Sequence, residues 1–457
     1  MPNSNVDREL HPGSQGVSPA EVPQQLSTQN AEQSKLQSAP QHYQHPQLVL
    51  LTICLIALFS VAGLALPYPI LAPIFAAPEF TPFNHWLGLD PTLLFGIALA
   101  ASPLGILIGS AVLGAMSDIY GRRPVLLGSL LLALLGYAFS ALAIAAEQYL
   151  WFVLARFLTG ICEGSISIAR AIAADLHPQI QRNKAIAWVN SALHGGWLVG
   201  PLIGGFTVVY GTDVPFWVAA AAMLPCLVLV YFLLPGTALQ PNRLSLWQNL
   251  AANNSLQLLR EPLLKWVVLI QLSYTIGLNA FYEFYPLWLV EAEQFNSKDI
   301  GLITAALCLL MVTVSAGPMS IWSHKVSALT GSLVATLWLG LLVFLLPQLS
   351  HWPAWAVLVL CGVPIGMMST WFNVYCANKY AALGQGRLMG LLTLLMCAGN
   401  IIIALGGSVI ALWGSGWTLL VGALWIWLAG WCIWQERRSD LRHAKDRSTT
   451  GATYGQS

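Results

Sequence analysis

The sequence predicts an all-α integral membrane protein of twelve transmembrane helices, arranged as two pseudo-symmetric six-helix bundles. Three observations predict it. The chain has 457 residues, 56% of them apolar and only 9% charged, whereas soluble domains carry roughly 25% charged residues. The apolar residues gather into twelve runs long enough for about 30 Å of hydrocarbon, which takes roughly 20 residues. The basic residues collect at alternate turns, as they do on one side of a membrane.

Residues 1–46 contain eight Gln, several Pro and Ser and no apolar run, a composition that predicts a disordered tail rather than a signal peptide. The first apolar run, 48–77, then serves as the uncleaved insertion signal. Runs at 91–117 and 123–146 flank a turn with an acid and two arginines. Runs at 149–174, 184–209 and 213–235 complete a first set, giving a bundle over 47–235. The polar stretch 236–262, with Asn242, Arg243, Asn253, Asn254, Arg260 and Glu261, reads as a linker. Runs at 263–290, 300–322, 326–347, 353–377, 387–411 and 415–435 form a second bundle over 263–436, and 437–457 is a second tail.

Of the 20 Lys and Arg, all except Arg156, Arg170 and Lys298 fall in the tails or in alternate loops. That pattern places both termini in the cytoplasm, and short outer loops point to a bacterial inner membrane. Several Trp, including Trp86, Trp151, Trp322, Trp352, Trp413, Trp417 and Trp434, lie near run ends, as an interfacial belt requires. A net charge of +1 argues against a nucleic-acid partner, which needs clustered excess Lys and Arg. The eight Cys lie in apolar runs without a C-x-x-C pair, and His11, His42 and His45 are scattered, so packing is the expected role of the thiols and no metal or cofactor is expected.

The halves echo one another. Gly114, Arg122, Gly128 and Ser129 recur 203 positions later as Gly317, Lys325, Gly331 and Ser332. Tyr68-Pro69 is echoed by Tyr285-Pro286, and Gly204-Gly205 by Gly406-Gly407. Parallel repeats of this kind occur in transporters.

Three motifs carry a family resemblance over about residues 47–436. The turn Gly114-x-x-x-Asp118-x-x-Gly121-Arg122-Arg123, the fourth-helix Arg156-x-x-x-Gly160-x-x-x-Gly164, and the fifth-helix Gly196-Trp-Leu-Val-Gly200-Pro201-Leu-Ile-Gly204-Gly205 resemble signatures of the major facilitator superfamily. The third resembles the motif of its drug:proton antiporters and other exporters. The resemblance implies the major facilitator fold and export of a small organic molecule, such as a drug or a self-made metabolite like a siderophore, by a monomer. The alternative is an importer or facilitator of a sugar, organic acid or amino acid on the same fold.

Physical reasons accompany the motifs. Asp118 and Arg122 flank a turn kept tight by Gly121, so the acid can hold a partner in one conformation and lose it in another; Arg123 completes this gating loop. Pro201 removes a backbone donor while the surrounding glycines admit another helix. Arg156, Glu163 and Arg170 recur every seven residues and share one face of the fourth helix. Glu163 lies about 21 Å along it, where an ionisable group is expensive unless it meets a cavity or a partner.

Glu163 and Glu283 are the acids placed deep in helices, and with Arg156 and Arg170 they are the candidates for proton coupling. Glu283 lies one turn after Asn279 and beside Tyr282 and Tyr285. Asn190, His194, Asn373 and Asn400 complete the candidate substrate contacts. For both glutamates a static ion pair is the structural alternative. The second half has Ile321 where the first has Asp118, so coupling is expected in the first half. The sequence contains no H-E-x-x-H, nucleophile elbow or phosphate-binding Gly-Lys loop, which argues against an enzyme and against ATP drive and implies a transmembrane ion gradient, with protons the coupling partner expected from the two buried carboxyls.

Overall fold

The computed structural model describes residues 43–236, 258–259, 261–316, 326–380 and 385–454. Among these, twelve helices are long and apolar enough to cross a membrane, and no residue is in a strand. They are α1 (Pro46–Ala76), α2 (Pro91–Ser117), α3 (Arg122–Ala145), α4 (Tyr149–Asp175), α5 (Lys184–Tyr210) and α6 (Val214–Leu233), then α7 (Pro262–Glu293), α8 (Ser297–Ser315), α9 (Ala328–Gln348), α10 (His351–Cys376), α11 (Gly390–Ala411) and α12 (Ser415–Asp440). The expected spans therefore stand among the described residues, with ends shifted by a few residues, and the end of the eighth, 317–322, lies outside them. Most of the linker and the Ile321 position lie outside the described residues.

Packing repeats between the halves. α1 packs on α5, α2 on α4, and α3 on α4 and α6; likewise α7 packs on α11, α8 on α10, and α9 on α10 and α12. The large exposed apolar side chains include Leu131, Leu135 and Leu142 on α3, Leu224, Val228 and Phe232 on α6, Val334 and Leu341 on α9, and Leu424 and Trp431 on α12. Stripes of this kind face lipid, since exposed apolar side chains are stable against hydrocarbon and not against water. Trp151, Trp352, Trp413 and Trp417, at helix ends, are also exposed.

Three helices break in mid-span. α1 is interrupted at Leu66–Pro67, where proline removes a backbone donor; α4 breaks at Gly164–Ser165; and α10 breaks at Cys361. Polar groups near these breaks gain freedom to meet partners off the helix axis.

The bundles meet through two crossings in the half of the seam away from the termini. On α5, a Cβ added at Gly205 would lie 2.7 Å from the Ser297 carbonyl oxygen and 3.0 Å from Gly301 Cα on α8. On α2, a Cβ at Gly96 would lie 2.2 Å from the Ala404 carbonyl oxygen and 2.5 Å from Ser408 Cβ on α11. Phe95 and Phe284 pack edge to face beside the second crossing, with ring centroids 6.0 Å apart. Only glycine permits such approaches.

At the termini face the two halves are fastened differently. Arg122, at the start of α3, pairs with Asp175 at the end of α4. Tyr43, just before α1, is buried against this pair, and burial followed by the neighbouring Asp175 carboxylate pushes its phenol up to about 12 against the opposing Arg122. Its backbone is held at both ends by the Gln179 amide, at 3.1 and 2.9 Å.

In the second half, Lys379 beyond α10 pairs with Glu436 (2.5 Å) and Asp440 (2.7 Å) of α12. Burial works against the Lys379 charge, but hydrogen bonds to Asp440 and Glu436 hold its pKa above the usual lysine range. Tyr375 and Tyr380 also donate to Glu436, at 2.7 and 3.1 Å. The last helix continues through most of the expected tail, to Tyr454, and these contacts brace its extension. Lys379→Met leaves the buried Glu436 carboxylate without a cation and is expected to lower unfolding stability by about 3 kcal/mol. Thermal unfolding in detergent would show it, and an unchanged midpoint would rule out the brace.

Candidate functional site

The fourth-helix stripe does not act as one unit. Arg156 and Glu163 are each 2% exposed, whereas Arg170, past the break, is partly exposed. The Glu163 carboxylate is not ion-paired with either arginine among the described residues. It accepts a 2.5 Å hydrogen bond from the Tyr137 hydroxyl of α3, and Arg156 acts on it electrostatically. The Arg156 guanidinium lies 6.0 Å from the Tyr137 ring centroid and reaches the Gly63 carbonyl of α1 at 3.5 Å. The static ion pair weighed for Glu163 is thus replaced by a tyrosine clamp inside the first bundle. Around it, the second-motif glycines admit α2: a Cβ at Gly160 would meet the Ser102 carbonyl oxygen at 2.2 Å, and one at Gly164 would meet Gly109 at 2.4 Å.

Glu283 occupies a different environment. It is 0% exposed, and neither carboxylate oxygen has a hydrogen-bond partner among the described residues. Asn279, one turn earlier, leaves its Nδ2 unpartnered, and Asn400 on α11 leaves its Oδ1 unpartnered. The ion pair weighed for Glu283 is absent there as well. Its neighbour is Tyr68 of α1, just past the break, which interacts electrostatically with Glu283 and Arg156 and lies close to Asn400. Tyr68 therefore stands between the two buried clusters, one in each bundle.

An aromatic ladder crosses at the same level. The Tyr68 ring lies 6.1 Å from the Trp197 ring of α5, which lies 5.4 Å from the Tyr282 ring of α7, with interplanar angles of 25° and 29°. Trp197 also places its carbonyl 3.4 Å from the Cys308 thiol of α8. The hydroxyl of Tyr285 is 2.5 Å from Thr304 Oγ1 of α8 and is 1% exposed, so this candidate is fixed within the second bundle.

The remaining candidates sit toward the termini face. Asn190 and Asn373 are exposed and His194 is partly exposed, with its Nδ1 3.1 Å from the Asn190 carbonyl and Arg170 close enough to act on it electrostatically. In the gating loop, Gly121 takes φ 89° at the joint of α2 and α3, a value that glycine adopts without strain. Arg122 holds Asp175, and Arg123 donates to the Tyr231 carbonyl at 2.5 Å. Gly114 is uncrowded: the nearest atom to a Cβ added there would be Ser167 Oγ, at 3.8 Å. The Asp118 side chain lies outside the described residues.

The fifth-helix motif separates into two faces. Added Cβ atoms at Gly196, Gly200 and Gly204 would meet the carbonyl oxygens of Leu58, Ala62 and Leu66 on α1 at 2.6, 2.4 and 2.6 Å. Gly205 instead faces α8 across the seam, where the Pro201 carbonyl oxygen would lie 2.8 Å from a Cβ at Gly301.

Sequence reasoning missed Tyr137, Gly63, Tyr68, Trp197 and Gly301 as site residues. Tyr68 carried a signal in its echo of Tyr285, and Trp197 one in its place within the fifth-helix motif. Tyr137 and Gly63 carried none.

A family model described as Major Facilitator Superfamily matches residues 48–404. The tetracycline resistance protein, class B, of Escherichia coli is 27% identical over 394 residues, covering 83% of this chain and 92% of that protein. Among solved structures, the human organic anion transporter MFSD10 aligns with a TM-score of 0.63 and 20% identity over 85% of this chain and 99% of its own. The xylose transporter XylE of E. coli, in a partially occluded inward-open conformation, aligns with a TM-score of 0.68 and 15% identity over 86% of this chain and 97% of its own.

Proposed function

This chain belongs to the Major Facilitator Superfamily, and from that premise we propose that it exports a small organic molecule in exchange for protons. Transport proceeds by alternating access, with the two bundles rocking about the level of the aromatic ladder. The termini face is the cytoplasm, and the protein works as a monomer in a bacterial inner membrane without ATP. Cargo is a drug or a self-made metabolite; the tetracycline resistance relative favours export over the uptake alternative.

One observation carries the reading: Glu283 is fully buried between the bundles with both carboxylate oxygens unpartnered among the described residues. An ionised carboxylate in such a place costs several kcal/mol. Closure of the seam and a charge on Glu283 therefore oppose one another, and a proton or a donor group on cargo resolves the conflict. Glu163 is the second acid, already clamped by Tyr137, and the two clusters meet at Tyr68. The crossings at Gly205 and Gly96 close the half of the seam away from the termini, which supports a cycle in which the opposite half opens to the cytoplasm.

Everted membrane vesicles test this, with tetracycline as the first cargo and a panel of other amphipathic drugs after it. An imposed pH gradient is expected to drive accumulation and to dissipate faster when cargo is added. Glu163→Gln is expected to remove the pH dependence of exchange. Movement of cargo only down its own gradient, in the wild type and in Glu163→Gln alike, would mean facilitated passage rather than antiport.

A further inference from the structure

We propose that Tyr137 is a positioning residue for Glu163, and that Gly63 on α1 is the socket that lets its hydroxyl reach the carboxylate. The inference rests on the coupling role proposed above for Glu163.

The geometry is specific. A Cβ added at Gly63 would lie 1.8 Å from Tyr137 Oη and 2.4 Å from its Cζ, so the phenol occupies the volume that any other residue at 63 would fill. The same hydroxyl donates to Glu163 Oε1 at 2.5 Å, leaving Oε2 unpartnered. Among the described residues, the titratable or charged groups facing Glu163 are Tyr137 from α3 and Arg156 and Cys162 from α4 itself. The helices that approach on the other sides present backbone: the Gly63 carbonyl of α1, which takes Arg156, and Gly109 of α2, against Gly164.

Among the described residues Tyr137 is therefore the one neutral donor that reaches the carboxylate, and its rigid ring fixes where that donor stands. The Gly63 socket lies in the first segment of α1, three residues before the Leu66–Pro67 interruption and five before Tyr68. Displacement of α1 at this point moves the socket wall, and with it the hydroxyl that Glu163 depends on. The acid in the first bundle is by this route sensitive to the helix that also carries Tyr68 to Glu283.

A donor to a carboxylate favours its charged form, and hydrogen bonds to charged groups are strong enough to matter on the scale of a pH unit. In proteoliposomes, Tyr137→Phe is expected to move the pH of half-maximal exchange upward by about one unit. Tyr137→Phe removes a single hydroxyl, so its thermal midpoint serves as the folding control. Gly63→Ala displaces the same ring and is expected to move the profile in the same direction, and Gly63→Ala combined with Tyr137→Phe no further than either alone. Profiles that stay in place in Tyr137→Phe while Glu163→Gln abolishes pH dependence would overturn the positioning role and leave the coupling role standing. Intact pH dependence in Glu163→Gln would overturn both.

Discussion

Glu283→Gln is expected to reduce proton-driven cargo accumulation in everted vesicles by on the order of 100-fold, without lowering thermal stability. The amide has nearly the shape of the acid and carries no charge, so the closed seam loses nothing in packing. What disappears is the conflict between ionisation and closure at a 0% exposed site whose two carboxylate oxygens find no donor among the described residues. A variant that cannot ionise has no charged state to drive the seam apart. Exchange of labelled for unlabelled cargo, which needs no net proton movement, is expected to survive better than net transport. Equal loss of both, together with a lowered thermal midpoint, would instead make Glu283 a structural residue.

The second large effect concerns the crossing of α5 and α8. Gly205→Val is expected to lower transport at least about tenfold and to trap the bundles apart on the face away from the termini. The added Cβ would stand 2.7 Å from the Ser297 carbonyl oxygen and 3.0 Å from Gly301 Cα, and both are backbone atoms that cannot rotate away. The first bundle itself is expected to stay intact, because its α1–α5 contact uses Gly196, Gly200 and Gly204 rather than Gly205. Cys308, 0% exposed and close to the Trp197 carbonyl, supplies the readout when kept as the sole cysteine. An impermeant thiol reagent added from the side away from the termini should modify it faster in Gly205→Val than in Gly205. Full transport with an unchanged labelling rate would show that the crossing tolerates side chains.

The number, order and division of the helices were legible in the sequence because span length and the side preference of basic residues are local properties. The seven-residue recurrence of Arg156, Glu163 and Arg170 correctly placed two buried charges on one helix face. It did not reveal that Arg170 lies beyond a break, since Gly164 and Ser165 keep near-helical backbone angles. Nor did it find Tyr137, whose link to Glu163 joins residues 26 apart on different helices; such pairs follow from interhelical packing, which leaves no period. The fifth-helix glycines show both sides of this limit. Their spacing announced a close helix contact, but adjacent residues on a helix point about 100° apart, so Gly204 and Gly205 serve different partners. Glu436, the last residue of the expected second bundle, carried no sign of its partners, because Lys379, Tyr375 and Tyr380 converge on it from far away in sequence.

The last helix is 40 residues long, or about 60 Å at 1.5 Å per residue, twice the roughly 30 Å of hydrocarbon it must cross. Its root is bolted to α10 through Lys379, so it belongs mechanically to the second bundle. A rod of that kind behaves like the needle of a gauge: a small swing of the bundle to which it is fixed becomes a much larger sweep at its far end. A spectroscopic label near Tyr454, measured against a point on the first bundle, would read the transport cycle from outside the cargo path.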